Sequence, residues 1–351
     1  MSTALARVPP ILRGWANTQI SSLLGLLIVA VAVALTLGQV FSHGANYFFQ
    51  IVVIGVADGA IYALIALGYT MVYGIVELIN FAHGDVFTLG GFISLWLLPI
   101  FGVTEGGTVT GAGLIVPLLA ILVISMIVCA VVNVTIERVA YRPLRHAPRL
   151  TPLITAVGMS FVLEGIMFLW RGPFNLHYPN VLPPTSIELG GANGPAVTFK
   201  DIAVIVIAVV LMVALTLFVE RTKLGKAMRA TAQDRDAAEL MGIDINRTIA
   251  ATFFIGALLA GAGGMIFGLY YNTITFDQGF TAGLVAFTAA VFGGIGNIQG
   301  AALGGLVIGM IQSLSDGYFD TAWTQVLIFA ILVLVLVFRP TGILGMRVPE
   351  K

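Results

Sequence analysis

Four polar residues, Glu77, Asn80, His83 and Asp85, stand within nine positions of the apolar stretch "GIVELINFAHGDVFTLGGF" (Gly74–Phe92). Polar side chains in such a place can hold a helix break together by hydrogen bonds or contact a passing solute. Two more acids interrupt apolar segments: Asp58 in "GVADGAIYALIALG" and Glu164 in "SFVLEGIMFLW". Hydrolytic chemistry would need a paired nucleophile and base. Ser160 lies in "GMSFVLEG", outside any GxSxG pattern, and the four histidines at 43, 83, 146 and 177 lack metal-ligand spacing. "KLGKAM" (Lys223–Met228) has neither the Ser or Thr nor the earlier Gly of a phosphate loop. These patterns point away from an enzyme, a metal site and a bound cofactor, and towards binding or gating.

The elements that must position these residues are membrane helices. The chain is 58% hydrophobic and only 10% charged, with a mean hydropathy of +1.01. Soluble domains carry roughly 25% charged residues, so this chain cannot cover its apolar surface in water and must meet lipid. The apolar runs are continuous rather than alternating, which excludes a barrel and predicts an all-α integral membrane protein. About ten spans of roughly 20 residues are expected. They fall near 20–41, 47–73, 86–101, 112–135, 151–170, 201–219, 248–271, 280–296, 300–315 and 321–338. The third, eighth and ninth are short enough to be tilted, interrupted or re-entrant. Cys129, the single cysteine, sits inside an apolar run as packing. Net charge is zero, which implies no attraction to nucleic acid.

With ten spans, fifteen of the seventeen Lys and Arg residues fall on one side. Only Arg171 and Lys200 fall on the other. By the positive-inside rule the basic side and both termini are cytoplasmic. The resulting layout is a cytoplasmic segment 1–19, a membrane domain 20–338 and a cytoplasmic tail 339–351. The domain has a cytoplasmic loop at 220–247 and an external loop at 171–200. The external loop is rich in Pro and Gly and reads as irregular.

Within this layout "GIVELINFAHGDVFTLGGF" is expected to be an interrupted helix near the cytoplasmic half of the membrane. It has no Lys or Arg, and apolar residues interleave its polar ones. Asn80 would bond backbone groups freed by the break, Gly84 would supply the bend, and His83 and Asp85 would join the half-helices or touch a solute. "NIQGAALGGLVIG" (Asn297–Gly309) repeats the Asn, Gly and Gly-Gly spacing of "NFAHGDVFTLGGF", a weak internal two-fold repeat that marks Asn297 as well. Asp58 is read either as a polar group bonded between helices or as a lining of the path. Gly55 and Gly59, Gly264 and Gly268, and Gly305 and Gly309 form GxxxG pairs suited to close helix packing.

The most charged stretch is Glu220–Ala250. Ala227, Ala230, Ala237, Leu240 and Met241 recur at helical spacing among Arg229, Asp234, Arg235 and Glu239, which predicts an amphipathic helix. Gly242 is expected to end it in a left-handed conformation.

Several segments together are similar to one family. They are "YTMVYGIVELINFAHGDVFTLGGF", "YRPLRHAPRLTPLITAVGMS", "AFTAAVFGGIGNIQGAALGGLVIG" and "RPTGILG". They resemble the H-type permease subunit of branched-chain amino-acid ABC importers, from about residue 45 onward. "DAAELMG" (Asp236–Gly242) matches the EAAxxxG pattern of ABC importer permeases, with Asp in place of Glu. The resemblance implies that Arg229, Asp236, Ala237, Ala238, Glu239 and Gly242 belong to a helix that docks on an ATPase subunit. It also implies a second permease, two ATP-binding subunits that hydrolyse the ATP, and a periplasmic solute-binding protein. Related permeases move urea, short amides or sugars. An ion-coupled secondary transporter would favour paired ionisable groups at the bilayer midplane, and a purely structural membrane protein would offer the amphipathic helix to an unrelated partner.

Overall fold

The computed structural model describes residues 44–345 except positions 78, 106–111, 146, 149, 184, 189–193 and 340. The expected first span at 20–41, the segment 1–19 and the end of the tail lie outside the described residues. Helices occupy the other nine expected spans. They are α1 (Ala45–Val76), α2 (Ala82–Ile100), α3 (Ala112–Ile136), α4 (Leu150–Arg171) and α5 (Phe199–Arg221), then α8 (Ile245–Tyr271), α9 (Gln278–Gly293), α10 (Ile298–Tyr318) and α11 (Thr321–Phe338). All but α9 are long and apolar enough to cross a membrane; α9 has 16 residues. Two short helices, α6 (Lys223–Gln233) and α7 (Arg235–Leu240), fill the expected cytoplasmic loop.

The single amphipathic helix expected there is therefore two. Thr222 caps α6 by accepting from the Gly225 amide, and Asp234 caps α7 by accepting from the Ala237 amide. Asp234 is extended (φ −156°), because a side chain that bonds its own downstream backbone competes with helix continuation. At the other end of α7 the Ile243 amide reaches the Ala238 carbonyl and the Gly242 amide reaches Glu239, with Gly242 at φ +83°. That is the Schellman pattern, and a residue with a Cβ is strained at such a φ.

α1, α2 and α8 form the centre, while α3, α4, α5 and α11 lie outside with most of their surface exposed. The exposed surface of the outer helices is mostly apolar, as suits helices facing hydrocarbon. In the centre, glycines let backbones touch. A Cβ on Gly59 would lie 2.7 Å from the Leu306 Cα, and one on Gly309 would overlap Gly59, so α1 and α10 pack through the two GxxxG pairs. Gly264 lies on α2 in the same way, whereas Gly268 meets the Tyr178 ring rather than a helix.

The loops gather by charge at two ends. At the basic end Arg145 pairs with buried Glu137 and donates to Asn246 (2.7 Å). Burial pushes the Arg145 guanidinium below its ordinary pKa, and the Glu137 carboxylate opposes that shift. Arg235 donates to the Ile75 carbonyl at the end of α1 (2.8 Å). At the opposite end the loop expected to be irregular carries short strands. β1 (Leu176–His177) pairs with β4 (Thr273–Ile274), and β2 (Ser186–Glu188) pairs with β3 (Ala196–Thr198), both antiparallel. Between them Tyr178 plugs the bundle: it is fully buried and its hydroxyl donates to Ser94 (2.9 Å). Burial pushes that phenol well above its ordinary pKa, so it remains a donor.

Candidate functional site

The break between α1 and α2 is made by Glu77, which ends α1 in the left-handed region (φ +56°) with its amide on the Tyr73 carbonyl. Helix α2 starts at Ala82, four residues before the expected 86, so His83, Gly84 and Asp85 belong to its first turn. This corrects two expected roles. Gly84 is helical and is not the bend. Its missing Cβ is needed instead because the Gly279 carbonyl and Gly283 of α9 occupy that space. Asn80 does not bond the freed backbone with its side chain; its Oδ1 accepts from the Tyr141 hydroxyl (2.6 Å).

The stretch is no solvated turn. Asn80, His83 and Asp85 are buried. Asp85 Oδ2 accepts from the Ser160 hydroxyl of α4, while Oδ1 lies against Gly279 with no hydrogen-bond partner. The His83 ring stands edge-on to Tyr69 (4.9 Å between centroids) and faces Gly68. Among the described residues neither of its nitrogens meets full hydrogen-bond geometry, although the Ile65 backbone faces the ring. Among the described residues Asn80 Nδ2, Thr70 Oγ1 and Thr88 Oγ1 are also buried without partners. Native interiors hold few such groups.

The depth of this cluster follows from helix contacts. α8 starts at the basic end and runs beside α2, with Gly90 on Gly261 and Gly91 on Gly264. His83 is level with Gly256, about three turns along α8, or roughly 16 Å from its start. Helix α2 therefore begins inside the bundle and runs to the opposite end. Helix α9 begins at the same level, since Gly279 touches Gly84 and Asp85, and runs back to the basic end. The non-helical segment Thr275–Asp277 leads into it at depth. Helix α2 and the 16-residue α9 thus start side by side and diverge, an arrangement tolerated in a membrane only where protein or water covers the broken backbone.

The other expected site residues lie elsewhere. Asp58 is three to four turns into α1 from the opposite end, where the Tyr271 hydroxyl donates to it (2.6 Å). Nearby, Asp201 accepts from Tyr270 (3.0 Å) and caps α5 with Thr198. Asn297 caps α10 through the Gly300 amide (3.1 Å) and donates to the Leu344 carbonyl (2.8 Å), so it ties down the tail. With Gly296 and Gln299 it lines a 340 Å³ cavity, together with Thr70, Glu220 and Arg229. In α7, Asp236, Ala237 and Glu239 are exposed and Ala238 is buried, while Leu240 and Met241 project with 89% and 84% of their surface free. Tyr69, Tyr141, Ser160 and Tyr271 were not signalled by spacing. Single hydroxyls in apolar helices carry no pattern until the fold brings acids against them.

The profile described as "Branched-chain amino acid transport system / permease component" matches residues 51–336. The high-affinity branched-chain amino acid transport system permease protein BraD of Pseudomonas aeruginosa is 43% identical over 311 residues, 87% of this chain and 98% of that protein. The LivH permease protein of the same description from Escherichia coli K12 is 40% identical over 309 residues, with the same coverage. The fructose import permease protein FrcC of Rhizobium meliloti is 26% identical over 197 residues, about half of each chain. No solved structure matches. A profile spanning most of the chain and relatives matched over 98% of their length at 40–43% identity agree with the many long apolar helices. The chain is a multi-pass membrane protein and belongs to the branched-chain amino acid transport system permease family.

Proposed function

We propose that this chain is the permease subunit of an ATP-binding cassette importer in the inner membrane, with the basic end and both termini in the cytoplasm. Its cargo is a branched-chain or neutral amino acid handed over by a periplasmic binding protein. It works with a second permease and two ATP-binding subunits, which supply all nucleotide chemistry. The observation that carries this reading is the end-to-end similarity to BraD and LivH. The exposed Leu240–Met241 tip of α7 supports the ATPase contact: two bare apolar side chains on a capped helix suit a groove on another protein. Asp236, Ala237, Glu239 and Gly242 surround that tip, and Arg229 sits behind it on α6. Asn80, His83, Gly84 and Asp85 form the gate. Asp58 and Asn297, each held by a hydrogen bond, brace the helices around it.

The test is reconstitution of the complex in vesicles with binding-protein-stimulated ATPase activity and leucine uptake measured together. Gly242→Asp should uncouple the two or prevent assembly, because a Cβ is strained at φ +83° and a charge enters the contact. Normal uptake and normal stimulation in this variant would remove the coupling role. The similarity to FrcC keeps another small polar solute as the second reading, and uptake assayed across urea, short amides and sugars decides it.

A further inference from the structure

The outside of the bundle carries a long apolar trough. α3 and α5 both pack on α8 but not closely on each other. At the basic end the space between them is a 620 Å³ groove, walled by side chains such as Val134, Leu211 and Phe254. At the opposite end a 150 Å³ groove between the same three helices continues it, with Ile115, Phe199 and Leu269 in its walls. Every residue that lines either stretch is apolar. Phe199 opens α5 and Leu224 follows its end, so the trough runs the length of a membrane span.

The sequence supplies a segment that fits it. Residues 20–41 are an apolar run with no charged side chain, long enough for one span. On a helix Ala30, Ala34 and Gly38 share one face, and small residues at this spacing let a helix sit close on its neighbours. The trough is built largely from bulky side chains, which a narrow face complements. The reach is sufficient as well. Phe41 stands four residues before Ala45, where α1 starts, and four residues span at most about 14 Å. α1 starts at the opposite end beside α5: Gln50 accepts from the Ala196 amide of β3 (2.8 Å), and β3 runs straight into α5 at Phe199. Packed helices lie about 8–10 Å apart, so the outer mouth of the trough at Phe199 is within range of residue 41. Arg7 and Arg13 then fall at the basic end, with Lys223 and Lys226 of α6. The family profile begins at residue 51, after this segment.

We propose that residues 20–41 of this chain lie in the α3–α5–α8 trough as a membrane helix, parallel to α8 and antiparallel to α3 and α5. Seated there, the segment clamps α3 and α5 onto α8 and keeps this face from lipid and from other subunits. The assignment needs only the membrane fold and stands whatever the cargo.

The experiment uses the full chain in membranes, in a Cys129→Ser background. A cysteine at each of residues 35–38 is paired with Ala203→Cys near the start of α5. A cysteine at each of residues 24–27 is paired with Ala214→Cys, three turns further along. Four consecutive positions cover a helix turn, so one in each set faces α5. Oxidation should join that pair within one polypeptide, because a disulfide needs Cα atoms within about 7 Å; mass spectrometry of the linked peptides reads it. Ile166→Cys, on the exposed face of α4, should link to none of these positions. Links to 166, or no link at either level, overturn the proposal, and the second result leaves the trough to lipid. A link from 203 or 214 to a separate polypeptide, tested by co-expressing single-cysteine chains, gives the trough to a partner and overturns it too. Should one set of pairs fail to insert, the other decides.

Discussion

The opposite end of the bundle and the break inside it treat several buried polar groups differently. Towards the opposite end Asp58 has Tyr271, Asp201 has Tyr270 and Thr198, and Tyr178 has Ser94, whose own hydroxyl turns to the Gly90 carbonyl (2.8 Å). At the break, His83, Asn80 and Asp85 keep nitrogen and oxygen atoms without partners among the described residues. Satisfied networks rigidify a fold, whereas unsatisfied ones are costly and persist where something else needs them. The first region therefore reads as a clasp and the second as a moving part. Asn272 illustrates the clasp: in a left-handed turn (φ +56°) it bonds the Tyr178 carbonyl and receives Lys200, joining the external loop to α8 and α5.

The comparison can be broken most sharply at the two helix starts. Gly84→Val puts carbon where the Gly279 carbonyl stands, and even Gly84→Ala cannot fit without a backbone shift. Both should abolish uptake in complexes that still insert and assemble, as read by transport normalised to purified complex. Retained transport in Gly84→Val would mean that the α2–α9 contact never changes during the cycle.

A second pair separates clasp from gate. Asp58→Asn and Tyr271→Phe should each cost about 1–3 kcal/mol of stability, seen as a lower melting temperature, while uptake per folded complex holds. Asp85→Asn should do the reverse: little change in melting and a loss of uptake of about tenfold or more. Matching behaviour of Asp58→Asn and Asp85→Asn would erase the distinction.

A third concerns the link between the ends of the machine. Arg235 of α7 holds the Ile75 carbonyl, two residues before the left-handed break at Glu77. On the proposed function, a push on α7 would reach the break through this hydrogen bond. Arg235→Ala should leave ATPase stimulation intact and lower the uptake per ATP hydrolysed; an unchanged ratio would show that coupling travels another way. The smallest effect is expected for Tyr141→Phe, which removes one donor from Asn80 at about 1 kcal/mol and should leave uptake within about twofold.

The helices were legible because hydrocarbon imposes a simple rule: a span must be long, apolar and internally bonded. Composition and run length suffice for that, and the basic residues then sort the loops. The glycine pairs and the left-handed Gly242 were legible for a similar reason, since a missing Cβ has few structural meanings. Helix boundaries at the break were not, because His83, Gly84 and Asp85 look like loop residues until α9 is laid against them. The split at Asp234 was missed because its capping bond to Ala237 competes locally with a helix that the apolar spacing alone would continue.

By itself the sequence determined that this is a helical membrane protein with its charges sorted to two sides and a polar interruption early in the chain. These properties depend on solvent transfer and local backbone chemistry, which act residue by residue. Only the tertiary structure decided which polar groups are partnered. Asp58 and Tyr271 are separated by most of the chain, as are Gly84 and Gly279, and nothing in either segment encodes the other. Whether a buried carboxylate braces a helix or waits for a ligand depends on what stands within about 3 Å of its oxygens, and that is a property of the packed bundle alone.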